Sequence, residues 1–241
     1  MEKYWLLVGL MIMGKEACSR QKQVAYSSQQ WIQYYNQAQI NEHWSLGMDG
    51  GMRWREWNKY QYIGRVGVGY QFSKVKLAAG IATTGNYTGN VLTKKEFRPY
   101  QEVLASWKEK EVLITHRFRL EERFFKSTPI DQPSVTSFNY RFRYQVAVNF
   151  PLLRLSREHE YQKISLAVSD EIFINAGKEI VFNYVDQNRL VIGPSAQVSK
   201  SLSVALSYMY QFAQKAAPGA IELNTVMWFT IRHNMNFMKS K

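Results

Sequence analysis

The feature that most constrains this chain is a two-residue alternation that persists over unusually long stretches. In Ser137–Phe150 (SFNYRFRYQVAVNF), Phe138, Tyr140, Phe142, Tyr144, Val146, Val148 and Phe150 occupy the even positions. Ser137, Asn139, Arg141, Arg143, Gln145, Ala147 and Asn149 occupy the odd ones. Successive side chains of a strand point to opposite faces, so this segment has one apolar and one polar face. Glu111–Phe125 repeats the pattern, with Val112, Ile114, Phe118 and Leu120 opposite Thr115, Arg117, Arg119, Glu121 and Arg123. Leu202–Phe212 sets Leu202, Val204, Leu206, Tyr208, Tyr210 and Phe212 against Ser203, Ala205, Ser207 and Gln211. Weaker versions cover about 29–40, 44–57, 62–72, 75–85, 96–107, 161–175, 182–198 and 221–233. These make roughly eleven segments, most of 11 to 15 residues. Ordinary strands are nearer 5–6 residues, whereas about 9–11 tilted residues cross a bilayer. No stretch after Ser19 shows a sustained helical period. The expected fold is therefore all-β: an antiparallel, up-and-down transmembrane β-barrel.

The links between segments read as alternately tight and loose. Asn41-Glu42-His43, Ser73-Lys74, Lys108-Glu109-Lys110 and Ser199-Lys200-Ser201 read as tight turns. Residues 58–61, 86–95, 126–136, 176–181 and 214–220 read as longer loops, rich in Gly, Pro, Asn and Ser. Eleven strands laid out this way would close first against last in parallel. Bacterial single-chain barrels have an even number, so the expectation is about twelve strands, with ten as the next even count. The extra strand would come from residues 20–28 or from one weak segment that is really two.

Alternation alone does not say which face points inward, because soluble lipocalin-like barrels alternate with their apolar face inside. Three features favour the inverted, membrane arrangement. The strands are long, the apolar rows are aromatic near their ends (Tyr62, Tyr70 and Phe72; Phe138, Tyr140 and Phe150), and the chain opens with an export signal. Residues 1–19 read as a signal peptide: Lys3, the apolar run Tyr4–Met13, and small residues at Ala17 and Ser19 before the cleavage point. The alternative makes Cys18 a lipidated N-terminus. Residues 20–241 then form one barrel domain in the bacterial outer membrane, in contact with lipid and lipopolysaccharide. Cys18 is the chain's single cysteine, which excludes a disulfide scaffold and any Cys-rich metal or cluster site.

Some blocks carry a family resemblance: Gln30-Trp31-Ile32-Gln33-Tyr34-Tyr35 with Trp44-Ser45-Leu46, His116-Arg117-Phe118-Arg119-Leu120-Glu121-Glu122-Arg123, Asp170-Glu171-Ile172-Phe173-Ile174-Asn175, and Asp186-Gln187-Asn188-Arg189-Leu190. They resemble an uncharacterised barrel family of Bacteroidota, over about residues 29–237. The HRxRLEER block is the most specific part. The resemblance implies a barrel in the outer membrane and brings no activity, cofactor or catalytic residue. Such barrels commonly end on an aromatic, whereas here Phe237 is followed by Met238-Lys239-Ser240-Lys241.

The net charge of +12 finds its expression on the polar rows. With these facing inward, the lumen would hold Arg53, Arg55, Arg65, Lys76, Arg98, Arg117, Arg119, Arg123, Arg141, Arg143, Lys163 and Arg189. The acids on those rows are Asp49, Glu96, Glu102, Glu111, Glu121 and Glu171. Twelve bases face six acids. Glu121 and Glu171, flanked by Arg119, Arg123 and Lys163, are the expected pairing residues. Eight strands already make a barrel that side chains fill, and unpaired arginines stripped of water are costly. Two readings stay open: an interlocked Arg–Glu network that plugs the barrel, or a narrow basic path that favours small anions.

No catalytic set emerges. A lipid-editing barrel enzyme needs a Ser nucleophile, a His base and an orienting group, but His116 shares a face with Val112, Ile114 and Phe118 and no Ser is arranged with it. His43, His159 and His233 read as surface residues. Neither a cofactor nor a metal is implied. Nucleic-acid binders gather Lys and Arg on an exposed patch, whereas these arginines alternate with lipid-type residues, so nucleic acid is not an expected partner. The alternative functions are a lipid-modifying enzyme or a barrel subunit of a larger outer-membrane complex, with no protein partner named by the sequence.

Overall fold

The computed structural model describes residues 22–130, 132–156, 158–159 and 161–238. The expected signal peptide over 1–19 and the rival lipidation at Cys18 lie outside the described residues. Eleven strands follow one another: β1 (Gln23–Gln39), β2 (Trp44–Arg55), β3 (Asn58–Phe72), β4 (Val75–Thr88), β5 (Val91–Glu109), β6 (Val112–Ser127), β7 (Val135–Arg154), β8 (Lys163–Ala176), β9 (Val185–Gln197), β10 (Leu202–Gln214) and β11 (Ala220–Asn236). Each pairs antiparallel with its sequence neighbours, and β1 closes on β11 to complete the barrel. Among the described residues there is no helix.

The strand count falls between the two even numbers expected from the sequence. Residues 23–28 do not form a strand of their own but lengthen β1. Eleven alternating strands leave the first and last pointing the same way, so the seam is parallel. It runs unbroken from Gln23↔Ala220 to Gln39↔Asn236. Parallel pairing is slightly weaker per residue than antiparallel pairing, and the seam offsets this with length and with contacts on its inner side. Gln29 Nε2 donates to Asn224 Oδ1 at 2.9 Å, and Trp31 meets Trp228 edge-on, ring centroids 5.5 Å apart.

The rim that carries the start of β1 is here the upper rim; the end of β11 lies at the lower. Two links expected to be loose are tight two-residue turns in the structure. Glu56 and Trp57 both take positive φ, 49° and 67°, the backbone of a hairpin turn whose twist matches its strands. Gly89, at φ 58°, opens the second turn, where Thr88 pairs with Val91. The Glu56-Trp57 pair lacks the Gly or Asn that normally marks such a turn, which is why residues 58–61 read as loop. A longer connection, 155–162, lies at the lower rim, so each rim carries both kinds.

The alternation resolves as polar inside and apolar outside. Glu121, Arg141, Arg143, Glu171, Gln29, Gln33 and Asn224 are buried, while Ile32, Leu46, Val66, Leu77, Phe118, Phe142, Leu190, Leu206 and Met227 are exposed. Not everything inside is polar. Trp31, Met209 and Val226 form a buried cluster on the inner wall, and Tyr100, Phe125 and Phe173 also point in. Close backbone contact fixes one part of the wall. A Cβ on Gly193 of β9 would meet the backbone of Leu206 and Ser207 on β10, with Ser207 Cα only 2.5 Å away.

Candidate functional site

The site is the lumen, and its centre is Glu121 on β6. Neighbouring inward positions on one strand are two residues apart, and cross-strand pairing sets inward residues of adjacent strands side by side. The register pairs Glu121 with Arg141 of β7, and Arg119 with Arg143. It also pairs Glu102 of β5 with Arg119, and Glu171 of β8 with Arg189 of β9. Long side chains then cross the bore to reach their partners.

Glu121 is 0% exposed and faces four guanidiniums. Arg141 and Arg143 lie at 2.6 and 2.7 Å, and Arg98 and Arg119 at 3.6 and 3.8 Å. Arg143 also reaches Glu171 at 2.7 Å, Arg117 reaches Glu171 at 2.6 Å and Glu102 at 3.7 Å, and Arg119 reaches Glu102 at 2.5 Å. These contacts form a closed ring of alternating charge: Glu121, Arg143, Glu171, Arg117, Glu102, Arg119 and back to Glu121. On its upper side Glu96 holds Arg98 at 2.7 Å and Arg123 at 2.6 Å. Asp186 holds Arg141 at 2.9 Å and Arg123 at 3.7 Å. Two smaller groups stand apart. Asp49 accepts from Arg65 at 2.8 Å and from Gln33 at 2.7 Å. Glu222 accepts from Arg55 at 2.8 Å and also meets Lys215.

Aromatic rings fill the spaces between these charges. Arg119 lies over Tyr100 at 4.5 Å, Arg123 over Phe125 at 4.7 Å and Arg143 over Phe173 at 4.4 Å. A guanidinium over an aromatic face is attracted by the ring quadrupole, more strongly once water is removed. Phe173 is 1% exposed. At this level the bore is filled by packed side chains.

The structure thus brings together Arg98, Glu102, Arg117, Arg119, Glu121, Arg123, Arg141, Arg143 and Glu171, puts Arg65 on Asp49, and leaves Arg53 and Arg189 near Trp31. Two expected members fall elsewhere. Lys163 stands at the lower end of β8, eight residues from Glu171. At about 3.3 Å per residue that is far beyond contact, and among the described residues no carboxylate pairs with it. Glu111 is in the β5–β6 turn, exposed, and meets Lys108 at 3.7 Å.

Sequence reasoning missed two acids. Asp186 would face outward in strict alternation with Arg189. A bulge between Phe173 and Ile174 leaves it without a partner on β8, and this extra residue turns inward. Glu222 shares parity with Asn224 and could have been found from it. The inward aromatics carried a similar signal, since Trp31 shares parity with Gln29 and Gln33, and Phe173 with Glu171 and Asn175.

The four histidines lie outside the lumen network. His116 faces outward from β6, stacked on Trp107 at 4.9 Å, with its Nδ1 2.7 Å from the Tyr144 hydroxyl. His43 sits in the first turn against Tyr70, His159 stacks on Tyr161, and His233 lies near Tyr34. Among the described residues no group of three or more His, Cys, Asp or Glu side chains is placed to hold a metal ion. On the outer wall a groove of about 510 Å³ runs between Leu77, Val103, Phe118 and Ile172.

Taken together, fold and interior define a closed β-barrel with an ion-paired, aromatic-packed core. The chain belongs to the family described as Protein of unknown function (DUF2490), whose model matches residues 28–222. No curated protein and no solved structure matches it.

Proposed function

We propose that this protein is a closed barrel of the bacterial outer membrane, a non-conducting scaffold with no catalytic centre of its own. The observation that carries the reading is the inversion of polarity. Large apolar side chains are exposed on all eleven strands, while Glu96, Arg98, Arg119, Glu121, Arg141, Arg143, Glu171 and Glu222 are buried inside. In water such a surface costs about 25 cal/mol per Å² of apolar area; against lipid it costs nothing. Aromatic residues support the same placement, with Trp44, Tyr70 and Trp107 toward the lower rim and Tyr62, Tyr87, Phe124 and Phe138 toward the upper.

Closure is the second half of the proposal. Glu121, Met209 and Val226 are each 0% exposed inside the bore, and bridged carboxylates hold the arginines in place. A planar bilayer containing refolded protein is therefore expected to stay silent. The fold is to be verified first by faster migration of unboiled than boiled protein on a detergent gel. Steady, anion-selective openings that fade in Arg117→Ala or Arg143→Ala would instead make it the anion pore, and would overturn closure. An absent gel shift, or recovery away from the outer-membrane fraction, would overturn the membrane placement.

One observation favours a more specific role as a subunit of a larger outer-membrane complex. Asp170 lies midway along β8 on the outer face, where it accepts from Asn188 Nδ2 at 3.0 Å. Glu122, also outward, lies 3.5 Å from Gln101 Nε2. Carboxylates facing lipid at that height are unfavourable, and ionisable groups within a membrane usually face a partner or a cavity. Asp170→Leu with Glu122→Leu is expected to keep the gel shift and to abolish any larger species seen after mild extraction. Equal amounts of that species in the variant would remove this role.

A further inference from the structure

Ten inward-facing arginines are buried or half-buried, and eight of them lie within ion-pair distance of a carboxylate. Arg53 and Arg189 are the two that do not, among the described residues. They are not scattered. The guanidinium carbons lie 3.7 and 5.2 Å from the centroid of the same indole, Trp31.

The hydrogen-bond acceptor of each is neutral. Arg53 Nη1 donates to Gln61 Oε1 at 2.5 Å, and Arg189 Nη2 to Gln187 Oε1 at 2.7 Å. The Nε of both is enclosed and has no acceptor. Trp31, against which both lie, is 3% exposed and fixed, its Nε1 donating to Gln29 Oε1 at 2.9 Å. Arg189 also lies against Phe173, at 4.6 Å. Both guanidiniums are therefore held by a rigid wall.

Two neighbouring guanidiniums with no carboxylate in ion-pair contact are costly in a bore partly stripped of water, even with Glu171 on the strand beside Arg189, and a bound anion would reduce that cost. Guanidinium groups present planar forks of N–H donors that match the oxygens of carboxylate and phosphate. The position suits entry from outside. Arg53 is two residues from the upper end of β2, and Arg189 is four residues from the upper end of β9. Above them Arg55 and Lys215 stand at the mouth, and both meet Glu222. Arg189 borders the ring around Glu121, since the register sets it beside Glu171.

We infer that Arg53 and Arg189, set against Trp31, form a seat in the lumen for a small oxyanion carrying a phosphate or carboxylate group. This goes beyond the scaffold reading and does not depend on it. The seat exists whether or not the barrel conducts.

The test uses the full chain, folded in detergent, with inorganic phosphate as probe and sodium chloride at matched ionic strength as reference. The unfolding midpoint is read from the unboiled-to-boiled gel shift along a temperature series. The wild type is expected to show a saturable rise in midpoint with phosphate beyond that with chloride. Arg53→Gln and Arg189→Gln should each need at least tenfold more phosphate for the same rise. Lys95→Gln, on the outer face, should respond like the wild type and so measures binding to the generally basic surface. If a glutamine variant does not fold, Arg53→Lys keeps the charge but loses the fork, and should still weaken the response several-fold. A response no larger than that to chloride, or an equal response in wild type and lumen variants, overturns the seat.

Discussion

Replacing Glu121 with alanine is expected to lower the stability of the folded barrel by about 3–5 kcal/mol, the usual cost of removing one partner of a buried ion pair. The variant should lose its compact form on an unboiled gel at a distinctly lower temperature than the wild type. The cost comes less from the attraction lost than from the charges left behind. Arg141 and Arg143 would each lose a contact shorter than 2.8 Å, and the packed bore offers little water in exchange. Glu121→Gln keeps the volume but not the charge, and should recover only a small part of the loss. Pairing it with Arg141→Met restores the charge balance around position 121 while leaving Asp186 with Arg123 at 3.7 Å, and removing both members of a buried pair costs less than removing one. The double variant should therefore be more stable than Glu121→Gln alone. If Glu121→Ala melts with the wild type, the ring is wet and loosely coupled, and closure of the bore loses its main support.

Gly193→Val is expected to be more damaging still, with ~3 kcal/mol or more lost and little or no folded form recovered. Its Cβ would be driven into the backbone of Leu206 and Ser207. A side chain can rotate away from a clash, but a paired strand can yield only by separating. The site is already weak, because Pro194 beside it has no N–H to give and the β9–β10 pairing skips Leu206 and Ser207. Gly47→Ala makes the control: a Cβ there meets nothing within 4 Å, so its gel shift should match the wild type within about 0.5 kcal/mol. A normally folded Gly193→Val would mean that the two strands do not approach as closely as described.

Most of the barrel was legible because a period of two leaves little freedom. In Ser137–Phe150 each position went to the expected face, with Arg141 and Arg143 buried and Phe142 exposed. What escaped the sequence were departures from that period and from its punctuation. The bulge beside Phe173 reverses the parity of Asp186, and strict alternation has no means of announcing an inserted residue. The Glu56-Trp57 turn carries no glycine. Parity arithmetic pointed to an even strand count; the structure instead extends β1 back to Gln23 and closes in parallel. Which arginine meets which carboxylate was not legible at all. That depends on register across five strands, and one slipped residue would exchange every partner. Arg53 and Arg189 share the inward parity of the paired arginines, and only the assembled bore shows them apart.

The parallel seam has a consequence for sidedness. A chain that crosses a wall an odd number of times begins on one side and finishes on the other. Gln23 lies at the upper rim and Asn236 at the lower, so in a membrane the two ends of the barrel would face different compartments. An epitope joined before β1 and another joined after β11 would then report opposite faces of the same molecule. On intact cells, antibody or protease supplied from outside would reach one label and spare the other, and would reveal directly which rim the cell presents to its surroundings.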